Sequence, residues 1–156
     1  MSDTTFDFAD RASYRFFDQC SIRFSDQDEM GHVNNVAYAA YVEAGRLAYF
    51  MKLMEPFGDR KLNYVLAKVD IDYIKEMHYP GMIDIGVRMT RIGRSSFATG
   101  YGIFLGDTCH ATATCVNVHF DQKTRKSAPF DKDVKAMLIA HMASEKNRHP
   151  HTVQSA

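Results

Sequence analysis

The residues best suited to chemistry lie together in Asp26-Gln27-Asp28-Glu29-Met30-Gly31-His32-Val33-Asn34-Asn35-Val36-Ala37-Tyr38. Three chemistries are compatible with these residue types at this spacing. Asp and Asn side chains hydrogen-bond nearby backbone, so the segment could simply shape a turn and cap a helix. Asp26, Asp28 and His32 could ligate a metal, although the histidine is single and the EF-hand spacing with its terminal Glu is absent. A carboxylate and an imidazole ahead of a helix N-terminus could instead attack a carbonyl or activate water, while free backbone N–H groups hold the oxyanion. That third arrangement suits acyl transfer.

The elements around the segment must position it. Asn34 to Met54 contains no Pro, and only Gly45 speaks against helix. Asn34 or Asn35 supplies an N-cap whose side chain accepts a first-turn N–H. Apolar residues from Val36 to Met51 spread around the whole circumference, which predicts a helix buried on most sides. Phe16–Phe24 reads as a strand before it, and 25–33 as a loop. After it come four strand-like runs: Tyr64–Glu76, Met82–Arg91, Ser96–Leu105 and Thr108–Phe120. Val65, Ala67, Val69, Ile71 and Tyr73 are expected on one face. The intervening turns Tyr79-Pro80-Gly81, Gly93-Arg94-Ser95 and Gly106-Asp107 imply an antiparallel meander. A closing amphipathic helix follows Pro129, with Asp131 and Asp133 at its positive end. The class is α+β: a strongly curved antiparallel sheet wrapped around one helix. Residues 1–13 read as a flexible leader, 14–145 as a single domain and 146–156 as a disordered tail.

Composition narrows the function. The chain has 156 residues and nineteen basic against nineteen acidic side chains, for a formal net charge of zero. No Lys/Arg run exceeds two residues, so the long-range attraction used by nucleic-acid or anionic-membrane binders is missing. No stretch approaches the ~18 apolar residues of a membrane span. The polar start lacks a secretory pattern, and Cys20, Cys109 and Cys115 lack C-x-x-C spacing. A cytoplasmic protein with reduced thiols is expected, with Cys109 and Cys115 on one face of the last strand. His78, His110 and His119 read as structural or surface residues.

The string D-x-D-x-x-G-H-x-N-N-x-x-Y, followed by a long apolar helix and this meander, resembles the hotdog-fold thioesterases of the 4-hydroxybenzoyl-CoA thioesterase-like family. The His32-Val33-Asn34-Asn35-Val36 portion is also similar to the plant acyl-carrier-protein thioesterases, and Arg94-Ser95-Ser96-Phe97 supports the likeness. The resemblance implies a hotdog fold and hydrolysis of an acyl-CoA thioester, without metal or organic cofactor. Asp28 corresponds to the catalytic carboxylate, as nucleophile or general base. The oxyanion donor corresponds to a backbone N–H near Asn35, and His32 matches a histidine of the plant enzymes' catalytic network. Met30 stands where those enzymes carry Asn, which leaves an Asp-centred mechanism. Asn34 and Tyr38 would shape the pocket. Coenzyme A lies across a subunit interface in the family, with basic residues on its phosphates. That role falls to Arg91, Arg94 and Ser95, or to Lys123, Arg125 and Lys126. Some hotdog thioesterases use a helix Glu, here Glu43; the plainer reading is an exposed partner for Arg46. Hotdog domains close an open sheet edge by pairing, so a homodimer or homotetramer is implied. Two alternatives remain: an enoyl-thioester hydratase/dehydratase, whose usual Pro after the Asn is missing here, or a non-catalytic acyl-binding protein.

Overall fold

The computed structural model describes residues 6–146. Five strands, β1 (Phe16–Ser21), β2 (Tyr64–Tyr73), β3 (Met82–Ile92), β4 (Ser96–Leu105) and β5 (Thr108–His119), form one antiparallel sheet in the order β1-β3-β4-β5-β2. Helix α1 (Asn35–Met54) lies along one face, and α2 (Lys132–Lys146) packs against β3. A curved five-stranded sheet around a long helix is the hotdog architecture that the motif implied.

Period-two alternation delivers Ile83, Ile85, Val87 and Met89 of β3 to the face that receives Tyr41, Val42, Tyr49 and Phe50 of α1. Phe97, Tyr101 and Ile103 of β4 join them, all fully buried. Each such side chain contributes about 1.5–3 kcal/mol through removal from water. Gly45 sets how closely helix and sheet approach: a Cβ there would lie 2.6 Å from Ile85 Cγ2.

Several sequence expectations need correction. Helix α1 is buried on one side only, and Val36, Leu47 and Met51 stay exposed because the sheet covers half its circumference. β1 stops at Ser21 and gives way to a 3₁₀ turn at Phe24–Asp26. β2 stops at Tyr73 rather than Glu76, because the N–H groups of Ile74 and Lys75 both donate to the His110 carbonyl and end the ladder. A bulge at Ala67 shifts the β2–β5 register between Leu66 and Lys68, so Val65 faces away from Val69, Ile71 and Tyr73. A second irregularity places Cys109 opposite Phe104 and Ala111 opposite Ile103, with His110 as the extra residue. Cys109 therefore sits on the outer face and Cys115 in the core.

The segment before β1 lies against the sheet's outer face. The Tyr14 ring packs over Gly86 and the Phe8 ring over Gly100, while the Phe8 carbonyl and the Phe104 ring close over Gly102, so that a Cβ at any of the three would collide. The Tyr14 hydroxyl donates to the Phe8 carbonyl (2.7 Å), and Arg11 pairs with Asp84 (2.6 Å). Of the leader expected over 1–13, residues 6–13 lie against this face, and 1–5 fall outside the described residues. The tail expectation, apart from Lys146 at the end of α2, falls outside the described residues. Among the described residues no helix is long and apolar enough to cross a membrane.

Candidate active site

Asp26 and Asp28 diverge in environment despite standing two residues apart. Asp26 is buried, and its Oδ2 accepts the Tyr41 hydroxyl at 2.5 Å and the Arg23 backbone N–H at 2.8 Å. The Arg23 guanidinium donates to Oδ1. Burial opposes ionisation, yet these donors hold the Asp26 carboxyl below its ordinary value. Its backbone carbonyl accepts from the Asn34 N–H (2.8 Å) and Asn34 Nδ2 (2.9 Å), which ties the loop to the helix entry. With its carboxylate so engaged, Asp26 is not available to a shared Asp26–Asp28–His32 metal site.

Asp28 is exposed, and its Oδ1 accepts the N–H groups of Met30 (2.9 Å) and His32 (3.1 Å). Its own N–H donates to the His32 carbonyl (2.8 Å), so the loop closes on itself at Gly31, whose φ is +77°. Oδ2 has no partner among the described residues. Asn34 is the N-cap: Oδ1 accepts from the Ala37 N–H at 2.9 Å. The first-turn N–H groups of Asn35 and Val36 are left without intrahelical acceptors. Asp28, His32, Asn35 and Tyr38 line one cavity of about 280 Å³ with Tyr73, Lys75 and Glu76. Tyr38 is buried there with its ring edge-on to Tyr73 (5.0 Å), and burial raises its hydroxyl pKa.

A free carboxylate oxygen beside unsatisfied helix N-terminal N–H groups can polarise a carbonyl and supply a nucleophile or base to it. Residues 22–138 match the model of the thioesterase-like superfamily. The chain belongs to that superfamily.

Similarity to individual proteins agrees. The uncharacterized protein YsmA of Bacillus subtilis (strain 168) is 30% identical over 131 residues, covering 83% of this chain and 88% of YsmA. A predicted thioesterase from Bacillus stearothermophilus superposes with a TM-score of 0.72 at 25% identity, covering 81% of this chain and 95% of that one. A thioesterase complexed with coenzyme A and Zn from Thermus thermophilus shares the fold with a TM-score of 0.72 at 24% identity, over 84% and 96% of the two chains.

Not every candidate residue of this thioesterase-like chain converges. Arg91, Arg94 and Ser95 flank the β3–β4 turn, roughly 30 Å along β3 from its Met82 end. That Met82 end pairs with Ser21, where the chain enters the Asp28 loop. The β3–β4 turn is therefore at the far end of the same sheet. The His119 N–H donates to the Ser95 carbonyl (2.7 Å), which sets this turn beside the 121–126 turn bearing Lys123, Arg125 and Lys126. Glu43 is exposed and lies 3.6 Å from Arg46, as its plainer reading had it.

Two residues that stand beside His32 were not singled out from sequence. Glu76 Oε2 lies 2.9 Å from His32 Nε2, and His78 Nε2 lies 3.5 Å from Glu76 Oε1. The signal was present in Glu76-Met77-His78: alternation about the buried Met77 sends both polar side chains the same way. His110, read as structural, holds this loop by a ring nitrogen 3.0 Å from the Glu76 carbonyl.

Proposed function

We propose that the protein hydrolyses an acyl-CoA thioester to a free carboxylic acid and coenzyme A. Membership of the superfamily supports thioester hydrolysis as the activity; the acyl-CoA substrate and the role of Asp28 are our reading. The observation that carries it is Asp28 itself, with Oδ1 anchored by two backbone N–H groups and the residue lining the same cavity as Asn35 at the α1 N-terminus. In the proposed step Oδ2 either takes a proton from a water that attacks the thioester carbonyl, giving the acid directly, or attacks the carbonyl itself to form an Asp28 acyl anhydride, which water then hydrolyses to release the acid and restore the carboxylate. The N–H groups near Asn35 stabilise the tetrahedral oxyanion, and collapse expels the thiolate. His32, paired with Glu76, stands on the same wall and orders the loop through its backbone.

The reading includes a homodimer, and a homotetramer by further packing. β2 is an edge strand, exposed along nearly its whole length, with Val65, Leu66, Val69 and Tyr73 open to solvent. Such an edge invites pairing with a second copy. An apolar cavity of about 720 Å³, lined by Leu47, Phe50, Met51, Met54, Leu62 and Tyr64, sits at the C-terminal end of α1. With 20 residues, α1 separates it from the Asp28 loop by about 30 Å. Antiparallel pairing of two β2 edges about a two-fold axis would bring the Tyr64 end of one copy beside the Tyr73 end of the other. The apolar cavity and the basic turns at Arg94 and Arg125 would then lie at the same end as the other copy's Asp28. A neighbouring structure's complex with coenzyme A supports assigning those basic groups to the CoA phosphates. Cytoplasmic placement belongs to the same proposal.

The test is thiol release across a panel of aliphatic, aromatic and short charged acyl-CoA esters, wild type beside Asp28→Asn. Release that depends on Asp28 supports the reading. No release from any ester would overturn it in favour of acyl binding without turnover.

A further inference from the structure

The geometry points to a divalent-cation site of the zinc class formed by His32 Nε2, a Glu76 carboxylate oxygen and His78 Nε2. These ligand atoms all lie within 4.8 Å of one another and come from two different loops. Two imidazoles and one carboxylate are a ligand set that suits Zn²⁺ and its transition-metal neighbours, and disfavours Mg²⁺ or Ca²⁺, which take oxygen ligands.

The distances need little adjustment. Tetrahedral Zn²⁺ with bonds near 2.0–2.1 Å holds its ligand atoms about 3.4 Å apart. Here His32 Nε2 is 2.9 Å and His78 Nε2 3.5 Å from the two Glu76 oxygens, and the imidazole rings stand 5.0 Å apart at 83°. Bringing three atoms around one ion asks for side-chain rotation at exposed Glu76 and His78 and at half-buried His32.

An independent feature prepares His78. Its Nδ1 lies 3.1 Å from the Gly31 carbonyl oxygen, which only accepts, so Nδ1 carries a proton and Nε2 is the ring nitrogen turned toward Glu76. Metal-bound histidines are held in this way by an outer hydrogen bond to a carbonyl. That Nε2 stands 3.5 Å from a Glu76 carboxylate oxygen, and a cation or a proton between them satisfies both.

The scaffold is also tied. The Val33 N–H donates to the Met77 carbonyl at 2.9 Å, linking the residue after His32 to the residue between Glu76 and His78. Met77 is buried, and the Glu76 carbonyl is held by His110. The two loops therefore meet in a fixed relation before any ion arrives.

His32 and Glu76 also line the Asp28 cavity, so a bound ion would sit in its wall. A three-ligand set leaves at least one position for water or a ligand oxygen. The site stands on its own geometry and does not require that the chain hydrolyse acyl-CoA.

The test is Zn²⁺ titration of the untagged full chain against a chromophoric chelator, with Co²⁺ absorption as a report of coordination. One Zn²⁺ per chain is expected. His78→Ala and Glu76→Gln should each weaken binding at least about tenfold, with circular dichroism and the metal-free melting temperature unchanged. Asp28→Asn should leave binding intact. The proposal is overturned by absence of stoichiometric uptake under zinc excess, or by affinity that survives both His78→Ala and Glu76→Gln.

Discussion

The Tyr41 hydroxyl donates to Asp26 Oδ2 at 2.5 Å, fastening the loop that carries Asp28 to the second turn of α1. Tyr41 is buried against the sheet, so the bond joins the loop to the core itself. Tyr41→Phe removes a donor from a buried carboxylate and should cost about 1–3 kcal/mol of stability. Urea unfolding checks this; an unchanged midpoint would separate the loop from the core.

Acid should act through the same carboxylate. The hydrogen bonds to Asp26 outweigh its burial and keep its folded-state pKa below the unfolded value. Its contribution is therefore complete above the unfolded pKa, near 4, and disappears as pH falls through the lower folded value. Asp84, held down by Gln19 and Arg11 against partial burial, acts in the same direction. Denaturation midpoints measured between pH 7 and pH 2 should fall less for Asp26→Asn than for wild type, because the variant has already lost the linked term.

Asp28→Asn should leave the fold intact, since Asn Oδ1 still accepts from Met30 and His32. Turnover should drop by roughly 10²–10⁴, the range for a reacting acid or base. Steady-state thiol release beside a thermal melt distinguishes lost chemistry from lost structure. Near-normal turnover would remove Asp28 from the mechanism.

Gly45 is a packing requirement. With a Cβ placed 2.6 Å from Ile85 Cγ2 and 3.2 Å from Val87 Cγ2, Gly45→Ala must push α1 off β3. Overpacking of this kind costs about 1–3 kcal/mol, more than the helix propensity gained. A higher melting temperature in the variant would contradict the close approach.

Val69→Lys places a charge in the middle of the exposed β2 edge, a device that blocks edge pairing. Sedimentation should move toward monomer, and thiol release should fall with it if two copies complete one site. A variant monomer with full turnover would confine the reaction to one chain.

Much of this protein is legible along the chain. A Pro-free run over Asn35–Met54, apolar all round, gives way to alternation over the four later strands, and that change carries the fold class. The β4 bounds, Ser96–Leu105, were legible to the residue because turn residues bracket them on both sides. Where a single extra residue enters a strand, at Ala67 and His110, local pattern fails: a bulge exchanges the faces without altering composition. The packed Phe8 and Tyr14 escaped for a related reason, since what receives them is missing side chains at Gly86, Gly100 and Gly102, far away in sequence.

The sequence by itself determined the conformation of the Asp28 loop, because Asp28, Gly31, His32 and Asn34 act through backbone groups within a few residues of each. Only the tertiary structure decided what that loop meets. Glu76 and His78 reach His32 because the β2–β3 connection folds back over the Asp28 loop, and Arg91 and Arg94 stand at the other end of the sheet because β3 is long enough to carry them there. Local hydrogen bonds follow from sequence spacing; contacts between distant segments follow from which faces the core leaves outward.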